Sequence, residues 1–263
     1  MRTKTPAQER RDKIVYGVLA VGIFVGFWYA VTKLTDFGQI FPDPITIIAN
    51  IGDKFINPIG KATLTGHILV SLRRVMLAFT VAAASGIVIG VTMGWYPVVE
   101  AVFKPVIEFL RPIPPIAWIP ISILWYGFTE MSKYFLIFLA SFFVVAISVY
   151  SGVKSVDPML IRAAKMLGAK DNQLFTSIII PSTVPYIFSG LQVALGNSWA
   201  SIVAAEMVQS NEGVGWVIIT GQQSSNMIQI VTGIVCIAVV GMLLVMIMRG
   251  LENKLCAWNK QGR

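Results

Sequence analysis

Six stretches of this chain, near residues 14–31, 75–93, 113–126, 134–150, 186–205 and 228–248, are apolar over most of the length a helix needs to cross hydrocarbon. A bilayer core of roughly 30 Å takes about 20 such residues. Continuous runs exclude a β-barrel, whose strands show short alternating segments. They also exclude an ordinary soluble domain: 56% of the 263 residues are hydrophobic and 13% charged, too little polar surface to cover a water-facing body. The expected fold is an all-α integral membrane protein, a six-helix transmembrane bundle solvated by lipid.

Arg2, Lys4, Arg10, Arg11 and Lys13 precede the first span and no small-residue cleavage site follows it, so the span reads as a retained anchor. With that end in the cytosol, an even number of spans returns the C-terminus to the same side. The segments then inside, with Lys104, Arg111, Lys154, Arg162, Lys165, Lys170, Arg249, Lys254, Lys260 and Arg263, hold most of the basic residues. Arg73 and Arg74 break the pattern on the outer side, where snorkelling toward headgroups is favoured over attraction of an anionic solute. The net charge of +8 follows from this bias and implies no nucleic acid. The layout is a cytosolic segment over 1–13, a membrane domain over 14–248 with a cytosolic loop at 151–185, and a cytosolic tail over 249–263.

Local signals divide the connections. Pro42, Pro44 and Pro58 break an external loop in which Ile45, Ile47, Ile48 and Ile51 suggest a short amphipathic helix at the interface. Residues 99–110 are amphipathic, and Pro112, Pro114 and Pro115 then forbid an unbroken helix, resetting the chain before the third span. In the cytosolic loop Asp157-Pro158 is an N-cap followed by proline at the first helical position, and Gly168 is a stop signal, giving a helix over 158–167. Asp171 caps a second helix expected to halt or kink at Pro181. Ala164 and Gly168, one turn apart and flanked by Lys165 and Lys170, form a small-residue face that another protein surface can approach. A plain loop helix has the same pattern.

The spans hold almost no ionisable residues, no paired carboxylates, no nucleophile with a base and no phosphate-cradling glycine loop. That argues against a membrane enzyme or a proton-coupled transporter, whose relays sit at depth. His67 is the single histidine, read as a surface or interface residue. Cys236 and Cys256 are read as structural. A chain that moves solute without its own relay runs downhill or borrows free energy from a partner. Asn197, Ser198 and Trp199 fall mid-span and suit either a polar route, with Trp199 as gate, or helix packing. Glu206 suits a gate, a docking point for a partner or an exposed interfacial acid, and Trp118 suits packing more than solute contact.

Residues 162–181 read RAAKMLGAKDNQLFTSIIIP, which resembles the EAA loop of importer-type ABC transporter permeases. Ala163, Ala164, Gly168, Ile178 and Pro181 fall at that loop's spacing; Arg162 stands where the pattern has Glu, and Ile180 where it has Leu. The segments HILVSLRRVMLAF, IEFLRPIPPIAWIPISILWYG, VKSVDPMLIRAAKMLGA and GLQVALGNSWASIVAAEMVQSNEGVGW extend the resemblance to the nitrate/sulfonate/taurine permeases, and IRAA, VKSV and LCAWNKQ are most similar to the taurine group. The resemblance implies the six-helix, MetI-like importer-permease bundle in a bacterial inner membrane. It implies a non-catalytic subunit acting with a second copy of itself, two cytosolic ATPase subunits that use ATP and magnesium, and an extracytoplasmic solute-binding protein, with no cofactor on this chain. Arg162, Ala163, Ala164, Lys165, Gly168, Ala169, Ile178 and Pro181 would meet the ATPase. Asn197, Ser198, Trp199, Glu206 and Trp118 would line or gate the path of taurine or a related alkanesulfonate. The alternatives are nitrate, bicarbonate or another small organic precursor on the same machinery, or a secondary transporter without an ATPase.

Overall fold

A computed structural model describes residues 6–256, which are helical almost throughout; among them the only β feature is an isolated bridge between Ile59 and Ala62. The helices are α1 (Pro6–Leu34), α2 (Pro44–Ile56), α3 (Leu64–Trp95), α4 (Pro97–Leu110), α5 (Ile119–Tyr126), α6 (Glu130–Lys154), α7 (Pro158–Met166), α8 (Asp171–Leu174), α9 (Ile180–Gln209), α10 (Val214–Gln223) and α11 (Met227–Leu255). Five helical stretches are long and apolar enough to cross a membrane, and a sixth span results if α4 and the segment from Pro115 to Tyr126 count as one. Arg2 and Lys4 of the expected N-terminal segment, and 257–263 of the tail, lie outside the described residues.

The third expected span, 113–126, is not a straight crossing. Two short pieces are bent by 90° at the proline run, because Pro112, Pro114 and Pro115 remove consecutive backbone donors. Only eight residues, α5, are α-helical there.

Contacts divide the chain into two units. One comprises the residues up to Leu64 with Val217–Val235. Within it α2 is the expected amphipathic helix: Asp43 accepts a hydrogen bond from the Thr46 N–H at 3.0 Å and Pro44 opens the first turn. Ile47 is buried, whereas Ile45 and Ile48 are exposed. Asn50 donates to Thr232 at 2.8 Å.

The other unit comprises Thr65–Trp216 and Cys236 onward. Its core is α6 packed along α9 and α3, with glycines where the backbones come closest. On α3, Gly86, Gly90 and Gly94 recur every fourth residue against α6. A Cβ at Gly90 would sit 2.5 Å from the Ala146 carbonyl oxygen and one at Gly94 2.4 Å from Val153 Cβ. Van der Waals contact at such close approach replaces the hydrophobic driving force that lipid does not supply.

Of the halt or kink expected at Pro181, the halt is absent. Residues 171–209 run as one helix of 39 residues, because a π turn over Phe175–Ile179 precedes the proline. The Ile180 N–H reaches back to the Phe175 carbonyl, and this widened turn relieves the clash a proline ring otherwise makes with the carbonyl four residues before it. Asp171 is the first helical residue and not the cap; Lys170 occupies the cap, its N–H donating to Gln173 Oε1 at 2.8 Å.

Candidate functional site

Three places hold the residues singled out by sequence. The first is the loop helix α7. Asp157 accepts from the Met159 N–H at 2.8 Å, and Gly168, at φ +86°, turns the chain so that its N–H bonds to the Lys165 carbonyl and that of Ala169 to the Ala164 carbonyl. This anchored helix turns apolar side chains outward: Met159, Leu160, Met166 and Leu167 are 74%, 56%, 89% and 89% exposed. Arg162 and Ala163 are exposed, Ala164 is half-buried, and Lys165 pairs with Asp171 at 3.4 Å. Leu167, Gly168, Ala169 and Ile178 line a depression of about 340 Å³ beside the helix end, and Pro181 is exposed one turn further on.

The second place is a cleft of about 250 Å³ beside the middle of α6, where Asn197 and Trp118 come together with Arg111 and Ser201. Ser198 and Trp199 turn away from it. The Ser198 hydroxyl is buried and shares a short hydrogen bond with Ser141 of α6; the indole N–H of Trp199 donates to the Ile237 carbonyl at 3.0 Å, with Gly241 closely apposed. Both positions are packing contacts between helices. Trp125 is 61% exposed and packs on Phe135.

The third place is a buried ionic cluster. Glu206 has no exposed surface, in contrast to the interfacial acid that sequence allowed. Arg74, expected to snorkel, is 1% exposed. Its Nη1 donates to Glu206 Oε1 at 2.8 Å and to the Glu212 carbonyl at 3.0 Å; Nε and Nη2 form a fork on Glu130 at 2.6 and 2.7 Å. Glu206 also receives the Ser71 hydroxyl at 2.8 Å and the Gly215 N–H at 3.0 Å. Lys133 adds a second cation to Glu130 at 2.7 Å. Buried charges persist only when paired and hydrogen-bonded, and here every oxygen of the buried acid is engaged. His67, 1% exposed rather than a surface residue, accepts the Gly213 N–H on Nδ1 and stacks on Trp216. Gly213, at φ +111°, is required: a Cβ there would lie 2.3 Å from the Glu206 carboxyl carbon.

The cluster ties α3, α6 and α9 to the loop before α10. Sequence reasoning misses it because Arg74, Glu130 and Glu206 are far apart in the chain and each sits near a span end. The available signal was local: His67, Ser71 and Arg74 recur at helical spacing on α3.

The profile of the binding-protein-dependent transport system inner membrane components matches residues 86–255, and the chain belongs to that family, the permeases of ABC importers. The taurine transport system permease protein TauC of Escherichia coli K12 is 36% identical over 256 residues, covering 95% of this chain and 91% of that protein. The putative aliphatic sulfonates transport permease SsuC of Bacillus subtilis is 33% identical over 92% of this chain and 87% of its own. The nitrate import permease NrtB of Synechococcus elongatus is 32% identical over 92% and 86%. Among solved structures, the MetNI methionine ABC transporter in an inward-facing conformation superposes with a TM-score of 0.55 at 17% identity, covering 68% of this chain and 92% of that one, a likeness of fold. The chain is thus a multi-pass membrane protein with the expected MetI-like importer-permease bundle.

Proposed function

We propose that this chain is the non-catalytic transmembrane subunit of an ATP-driven importer for taurine or a related alkanesulfonate. Two copies form the path, an extracytoplasmic binding protein delivers the solute, and two cytosolic ATPase subunits, using ATP and magnesium, drive the cycle. This chain binds no cofactor of its own. The complex sits in a bacterial inner membrane with both termini cytosolic.

The observation that carries the reading is α7. A helix in a polar loop that exposes Met159, Leu160, Met166 and Leu167 while being capped at both ends has an apolar face in need of a protein partner. Ala163, Ala164, Gly168, Ile178 and Pro181 supply the family's spacing around it, and Arg162, Lys165 and Ala169 complete the surface an ATPase cleft would meet. Movement of that ATPase would shift a bundle with two packings between inward-open and outward-open states. Arg162 in place of the usual acid means that docking here relies on apolar contact more than on a carboxylate.

The named relatives handle taurine, aliphatic sulfonates and nitrate, all of which present a small oxyanion group, and taurine is preferred because the chain's IRAA and VKSV segments are most similar to that group. The test is ATP hydrolysis by the complex reconstituted in lipid with its binding protein, across taurine, other alkanesulfonates, nitrate and bicarbonate. Stimulation by taurine alone supports the reading. Stimulation by another anion replaces the substrate, and failure of any ATPase to copurify with the chain overturns the importer mechanism.

A further inference from the structure

The cleft beside the middle of α6 contains a cation that the sequence pattern assigns to a cytosolic loop. Arg111, at the C-terminal end of α4, lines it together with Asn197 and Ser201 of α9, while Trp118, Ala140 and Phe143 supply apolar walls. Among the described residues no carboxylate lies within ion-pairing distance of Arg111, in contrast to Arg74, which meets three. Asn197 likewise makes no side-chain hydrogen bond among the described residues. Arg111 and Asn197 are both exposed on the single chain, so the unpaired guanidinium faces water, a protein partner or a ligand of opposite charge. Its planar fork matches the oxygens of an oxyanion, and an amide and a hydroxyl add neutral donors.

We infer that Arg111, Asn197 and Ser201 form an anion-binding station on the translocation path, which holds the oxyanion end of the solute in transit. The inference rests on the importer reading above and gives the permease a share of selectivity otherwise left to the binding protein.

The test uses the whole complex in proteoliposomes with its binding protein, measuring uptake of labelled taurine, sulfonate or nitrate beside ATP hydrolysis, for the wild type, Arg111→Gln, Arg111→Lys and Asn197→Ala. Arg111→Gln should lower uptake at least tenfold while binding-protein-stimulated ATP hydrolysis stays within about twofold of wild type. Arg111→Lys should retain part of the uptake, since it keeps the charge and loses the fork, and Asn197→Ala should raise the half-saturating anion concentration. Uptake by Arg111→Gln equal to wild type overturns the station. Equal loss of uptake and of hydrolysis in both Arg111 variants also overturns it, assigning Arg111 to assembly. A wild-type complex that hydrolyses ATP but imports none of these anions fails one step earlier, on the importer reading itself.

Discussion

The Arg74 guanidinium and the Glu206 carboxylate meet at 2.8 Å with both side chains closed off from solvent. The pair joins α3 to α9, and its fork on Glu130 adds α6. Removing the cation would leave Glu206 buried with only Ser71 and the Gly215 N–H to hold its charge. Arg74→Met should therefore destabilise the protein by about 3–5 kcal/mol, the range for breaking a buried pair from one side. Glu206→Gln should cost less, because the amide oxygen still accepts from Ser71 and Gly215. Thermal unfolding in one detergent or lipid would rank the two, and an equal loss would mean that the Arg74–Glu206 pair carries the whole effect and the Arg74–Glu130 fork adds nothing to it.

Gly90 tests the close approach of α3 to α6. Gly90→Val places a Cβ 2.5 Å from a main-chain carbonyl oxygen, an atom that cannot swing aside. Overpacking of this kind costs about 1–3 kcal/mol. Gly26, with nothing near its Cβ position, is the control, and Gly26→Ala should leave the unfolding temperature unchanged.

The exposed end of α7 makes a prediction about association. Met166→Ser with Leu167→Ser removes apolar surface that touches no core, so the chain should insert and fold as before while ATPase copurification falls severalfold. Gly168→Ala adds strain at φ +86°, about 1–2 kcal/mol of local cost for a residue with a Cβ, and should loosen the same helix end. Retained copurification in both would place the docking surface elsewhere.

Asp43 predicts a pH response at α2. The Thr46 N–H, and after it Lys33 at 3.0 Å, hold this carboxyl down to about 2 from an ordinary value of 3.8. A depressed carboxyl contributes stability that is complete above its ordinary value and is lost as pH falls through the folded one. Amide exchange in α2 should be insensitive to Asp43 protonation from neutral pH to about pH 4 and accelerate below it. Asp43→Asn should remove the acid response while keeping a capping oxygen, and Asp43→Ala should fray the helix at every pH.

Much of the fold was legible because hydrophobic runs and caps are local. The span centres, the start of α7 at Pro158, the stop at Gly168 and the break at Pro112–Pro115 all follow from residues within a few positions of the feature. What escaped depends on tertiary placement. Pro181 reads as a stop or kink unless the widened turn before it is known, and the cleft shared by Arg111 and Asn197 leaves no trace in hydropathy. Sequence leaves Glu206 as a gate, a docking point or an interfacial acid, Arg74 as a snorkelling cation and His67 as a surface or interface residue; only the three-dimensional pairing shows that Arg74 and Glu206 neutralise one another. Asn197, Ser198 and Trp199 are consecutive and therefore look alike in sequence, yet at 100° per residue they face three different neighbours.

The π turn at Phe175–Ile179 makes the segment from Asp171 to Gln209 a single strut rather than two rods with a hinge. At about 1.5 Å per residue it spans roughly 58 Å, beginning three residues beyond Gly168 and ending three residues past Glu206. A torque applied near α7 has no loop in which to dissipate before it reaches the acid. Only the widened turn departs from the regular hydrogen-bond ladder of that strut.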